Sequence, residues 1–157
     1  MLRKVALVGA VALLAASAAS AAGGVSASLS KTSAGARDVG LTIELRPVAL
    51  QCGRLGVRTL SITLPAAMRV PRSIPADAVQ VGVQHVSSVA TTGRTVVLSF
   101  SYPVHRMTCD SMVLGPLRIR FTAAAGLGNP SRAGTYAFAV AAKPHGMSWH
   151  GSFVVRS

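Results

Sequence analysis

Acid–base and nucleophilic chemistry need titratable groups that can meet, and this chain offers few. Its carboxylates are Asp38, Glu44, Asp77 and Asp110, far apart and without a motif around any of them. A general acid and its partner base must both reach one substrate, and this spacing supplies no obvious pair. Serines are numerous, yet no Gly-x-Ser-x-Gly elbow occurs. A cysteine nucleophile would have to be Cys52 or Cys109 beside His85 or His105. The chain is therefore read as non-enzymatic, with no catalytic residue and no cofactor expected.

Two local runs mix imidazole and thioether, ligands that suit copper. They are His105-Arg106-Met107-Thr108-Cys109 and His145-Gly146-Met147-Ser148-Trp149-His150. A blue-copper site would want a histidine and then a methionine soon after the cysteine. Cys109 is followed only by Asp110-Ser111-Met112. A copper site built on His105, Met107, His145, Met147 and His150 stands as the alternative reading, and no metal site as the first. Arg118 and Arg120 share one face of an alternating segment, where paired guanidinium donors suit phosphate or carboxylate groups.

The compartment follows from the first residues. Arg3 and Lys4 precede an apolar run from Val5 to Ala16, and two small-residue cleavage sites follow, Ala16-Ser17-Ala18 and Ala19-Ser20-Ala21. That order reads as a secretory signal peptide over residues 1–21, and the run falls short of the ~20 residues that span a bilayer. No membrane span is expected in the mature chain. Export favours a disulfide between Cys52 and Cys109. Without Arg3 and Lys4 the chain keeps 14 cations, twelve of them arginine, against 4 acids. Such a balance favours anionic partners. Nucleic acid is not expected, because stacking platforms are scarce at 4% aromatic residues.

The elements that must position these side chains read as strands, since apolar residues recur with a period of two. Leu41, Ile43 and Leu45 alternate with polar neighbours up to Pro47, and Leu60, Ile62 and Leu64 up to Pro65. Prolines 65, 71 and 75 exclude a regular helix between them. Val79, Val81 and Val83 form a further strand, with Val86 and Val89 extending it past a bulge. A turn at Thr91 to Arg94 leads to Val96, Leu98, Phe100 and Tyr102, and Val104 to Leu114 reads as a loop. Leu117, Ile119 and Phe121, then Tyr136, Phe138 and Val140, flank a polar loop centred on Gly128-Asn129-Pro130. Trp149, Phe153 and Val155 close the chain. About eight short strands at this spacing predict a single all-β, immunoglobulin-like sandwich. It is expected over residues 38–157, after a flexible lead over 22–37 in which Val25 to Leu29 could form an edge strand.

LSITLPAAMRVPRSIPADAVQV, RTVVLSF and GPLRIRFTAAAGLGNPSRAGTYAFAVAA resemble the immunoglobulin-like module of bacterial and archaeal surface-layer and other secreted surface proteins. That module has an alternating strand ending in proline, an Ile-Pro turn, a Val-x-Val strand and a closing Ile-x-Asn-Pro-x-x-Ala-Gly-x-Tyr segment. The counterparts here are Leu60 to Leu64, Ile74-Pro75, Val79-Gln80-Val81 and Leu127 to Tyr136, within a match covering Leu41 to Ala142. The cysteine pair and the arginine-rich surface depart from that pattern. The resemblance implies a spacer or binding platform at the cell envelope. The expectation is an exported protein that binds an anionic cell-envelope polymer or another surface protein, or acts in adhesion, with Arg118 and Arg120 as candidate contacts.

Overall fold

Apolar–polar alternation turns into nine strands in the computed structural model, which describes residues 24–50, 58–82, 84–100, 113–143 and 147–157, without the side chains of 47–50 and 113–115. The strands are β1 Val25–Leu29, β2 Leu41–Leu50, β3 Thr59–Thr63, β4 Val79–Val81, β5 Val86–Thr92, β6 Thr95–Phe100, β7 Val113–Phe121, β8 Gly134–Lys143 and β9 Met147–Val155. The only helical pieces among the described residues are single 3-10 turns at Ala76–Ala78 and Ala123–Ala125. Residues 1–21, read as a signal peptide, lie outside the described residues.

Two antiparallel sheets form, ordered β1-β2-β7-β4 and β5-β6-β3-β8-β9. Each turns its apolar side inward to one shared core. Leu41, Ile43, Leu45, Ile119 and Phe121 enter from the first sheet, and Leu60, Ile62, Leu98, Val140 and Phe153 from the second. The sheets meet along one side, where β1 packs against β9. There β9 turns Gly151 inward. A Cβ at that position would lie 2.7 Å from the Phe138 ring and 2.8 Å from a methyl of Val25. The missing side chain lets the Phe138 ring lie across the strand, with Phe153 stacked 6.2 Å away.

Several expectations need correction. Pro47 does not end its strand, because β2 continues to Leu50. The register shifts between Leu45↔Leu117 and Val48↔Gly115, so Arg46 and Pro47 oppose the single Pro116. A bulge tolerates proline, which has no N–H to give to a ladder. By the same pairing β7 begins at Val113, inside the segment read as a loop. Val79–Val81 and Val86–Thr92 are two strands in different sheets, so the described residues form nine strands. Gly82 takes a left-handed backbone (φ 52°) between them, which glycine adopts at little cost. The edge strand expected at Val25 to Leu29 does form, as β1, which pairs with β2 from Val25↔Leu45 to Leu29↔Leu41.

The loop after β7 is polar in sequence yet buried. Leu127, Gly128, Asn129 and Pro130 are all buried. The backbone of this loop bonds to segment 35–39 through Val39 N to Leu127 O, Asn129 N to Ala36 O and Gly35 N to Pro130 O. Asn129 is the one buried polar residue among those described, at 6% exposure. Its Nδ2 donates to Lys31 O at 2.8 Å and to Ser33 O at 2.9 Å. Its Oδ1 has no partner among the described residues.

Candidate functional site

Strand alternation sends Arg118 and Arg120 outward from the first sheet, and both are exposed. Register decides what stands beside them. Arg118 lies opposite Glu44, and Arg120 lies between Thr42 on β2 and Gln80 on β4. Ser26 and Ser28 of β1 continue these rows beside Glu44 and Thr42. The outer face thus carries hydroxyl, amide and guanidinium groups around one carboxylate, with neighbours in a row about 4.8 Å apart across the strands.

Glu44 is held from two sides. Its Oε1 accepts from Arg46, with Nε at 2.7 Å, and its Oε2 accepts from Arg118 Nη2 at 3.2 Å. The hydrogen bond from Arg46, followed by that from Arg118, holds the Glu44 carboxyl below its ordinary range. The Glu44 side chain keeps 17% exposure while those of Arg46 and Arg118 keep 65%. The guanidinium groups therefore remain open to solvent while sharing one carboxylate. No described carboxylate contacts Arg120. Three guanidinium charges against one carboxylate leave the face positive. Arg46, Ser26, Ser28, Thr42 and Gln80 were missed as members, because alternation gives a residue's side of its strand but not its cross-strand neighbours.

The histidine–methionine reading finds no joint site in the part that is described. Met147 is half-buried and packs against the core, while His150 is exposed on the opposite side of β9. His105, Met107 and His145 lie outside the described residues. Among the described residues no group of three or more His, Cys, Asp or Glu side chains could hold a metal ion. Cys52 and Cys109 also lie outside the described residues. The strand ends that flank them are cross-strand partners, Leu50 opposite Val113. No helix among the described residues is long and apolar enough to cross a membrane.

No protein-family model matches the chain. No curated protein matches it. Among solved structures, the chain is similar to the pilus 2b backbone protein of group B streptococcus, at 12% identity and a TM-score of 0.46, over 83% of this chain and 56% of that one.

Proposed function

We propose that this protein is an exported, non-enzymatic immunoglobulin-like β-sandwich that works at the cell envelope by binding an anionic polymer through the outer face of its first sheet. The observation that supports this reading is the register of β1, β2, β7 and β4. It sets Arg118 and Arg120 among Ser26, Ser28, Thr42 and Gln80, with one acid to balance three arginines. Guanidinium groups bind phosphate or carboxylate through paired donors, and neighbouring hydroxyl and amide groups suit the sugar or polyol units between the charges. Glu44 acts as a brake by occupying Arg46 and Arg118 until a polymer anion competes for them.

The test is retention of the purified protein on immobilised polyphosphate. Glu44→Gln frees two guanidinium groups and is expected to elute at higher salt than the parent. Arg120→Ser is expected to elute at lower salt. Unchanged elution in both variants overturns the sheet face as the binding surface. Elution of the parent protein also shifts to higher salt as pH falls through the depressed Glu44 pKa. Protonation there releases both arginines and ends the ion pair's contribution to stability, which is present above the ordinary glutamate range.

A further inference from the structure

The fold gathers charge where the sequence scatters it. Loops 30–40, 64–78 and 122–133, the β5–β6 turn and the last two residues meet at one end of the sandwich. Leu64 N donates to Arg94 O, and Arg69 and Gly128 exchange two backbone hydrogen bonds. Arg156 N donates to Thr32 O, and Ala34 N to Arg156 O. Seven of the twelve described cations sit on these segments, and all seven are exposed.

They arrive in three groups. Arg72 and Arg94 flank the β5–β6 turn, where the Thr91 hydroxyl donates to Arg72 O. Arg69 lies beside Gly128 and Ala36, next to Arg37, whose carbonyl accepts from Lys31 Nζ at 2.9 Å. Arg132 sits two residues past Pro130, and Arg156 at the β9 exit. Of the three described acids, Asp38 and Asp77 share this end, and neither forms an ion pair among the described residues. Apart from that Lys31 contact, these residues bond to the rest of the described structure through their backbone atoms. The guanidinium groups are left to solvent.

Packing of the core does not ask for this arrangement. Seven like charges on one end repel one another, and such self-repulsion works against the compact state. We infer that this end is a second, stronger anion-binding surface, which takes a linear polyanion of repeating phosphate or carboxylate groups laid across the loops. The inference rests on the anionic-polymer reading above, but it assigns the main charge contacts to the loop end and not to the sheet face. The absence of exposed large apolar side chains on these loops, among the described residues, favours a hydrated polymer over a lipid surface. The only exposed large hydrophobic residue described is Val154, on the outer side of β9.

The experiment measures affinity for soluble polyphosphate across a salt series. Two end variants, Arg72→Ser/Arg94→Ser and Arg132→Ser/Arg156→Ser, are compared with Arg118→Ser/Arg120→Ser. Each lost phosphate contact lowers the slope of log affinity against log salt by roughly 0.7–0.9. Each end variant is therefore expected to lose about 1.4–1.8 of slope and about tenfold in affinity near physiological salt. Thermal unfolding run alongside should show intact folding, since every substituted side chain is exposed. Loss confined to the Arg118/Arg120 variant overturns the loop end and leaves the sheet face standing. Loss confined to the end variants supports the inference and overturns the face. No binding of the parent protein to polyphosphate overturns both. Tighter binding to phosphatidylglycerol vesicles than to polyphosphate overturns the polymer and assigns the end to a lipid surface.

Discussion

Asn129 ties segment 31–33 to the loop that closes the sandwich, and its replacement measures that tie. Both Nδ2 hydrogens are committed, at 2.8 and 2.9 Å, to the carbonyls of Lys31 and Ser33. The side-chain oxygen has no described partner, so the donor half carries the interaction. A net hydrogen bond contributes about 0.5–1.5 kcal/mol, and an acceptor left without a partner costs about 1–3. Asn129→Ala removes both donors but lets water approach the partly buried carbonyls. The expected loss is about 2–3 kcal/mol, or roughly 8–12 °C in melting temperature for a domain of this size. Asn129→Asp keeps the shape but aims a carboxylate at two carbonyl oxygens, and should cost more than alanine at neutral pH. The folded state then disfavours the charged form, so the new carboxyl titrates above its unfolded value. The aspartate variant is thus expected to gain stability, relative to the parent, as pH falls through the carboxylate range. Urea unfolding at pH 7 and pH 4 reads both effects. An alanine variant within about 0.5 kcal/mol of the parent, or an aspartate variant whose deficit does not shrink at pH 4, would refute the account of the tie.

Two further outcomes are open to direct measurement. Gly151→Ala places a methyl between the Phe138 ring and Val25, where contacts of 2.7 and 2.8 Å leave no room. It should cost about 1–3 kcal/mol, as overpacking does, and Val25→Ala in the same chain should recover part of that loss. A lone Gly151→Ala that unfolds like the parent contradicts the close approach of β1 and β9. Cys52 lies two residues beyond Leu50 and Cys109 four before Val113, and those strand ends are paired. Denatured, unreduced protein recovered after export is expected to take up no alkyl groups, and reduction to cost about 2–4 kcal/mol. Uptake of two groups refutes the bridge.

Side-chain direction was legible in the sequence wherever strands are half-buried. Leu60 and Ile62, Phe138 and Val140, and Trp149, Phe153 and Val155 all face the core as their alternation predicts. Strand ends were less legible, because one residue can decide them and its effect depends on its partner. Pro47 reads as a stop until Pro116 is known to stand opposite in a bulge. Val79 to Val89 reads as one valine-rich strand until Gly82 turns the chain out of one sheet and into the other. The closing loop misled for a similar reason. Asn129 and its glycine and proline neighbours look like surface residues. Their backbone groups are instead paired, Asn129 and Pro130 with segment 35–36 and Gly128 with Arg69.

The candidate surfaces divide in the same way. Arg118 and Arg120 could be placed on one face from their spacing alone, since both lie on one strand. Glu44 could not be placed with them, because that takes the register of β2 on β7. The loop end was further out of reach. Lys31 and Arg156 are separated by almost the whole described chain, and share one end because segment 32–34 lies beside the exit of β9. Backbone atoms make nearly all of those joints, so the attached side chains are free to vary without loss of the fold. These positions carry seven cations against two acids, Asp38 and Asp77, under little structural demand, and that excess is what the proposed anionic partner would account for. The same freedom makes charge removal there a clean test, because binding can change while the core, the sheets and the Asn129 tie stay as they are.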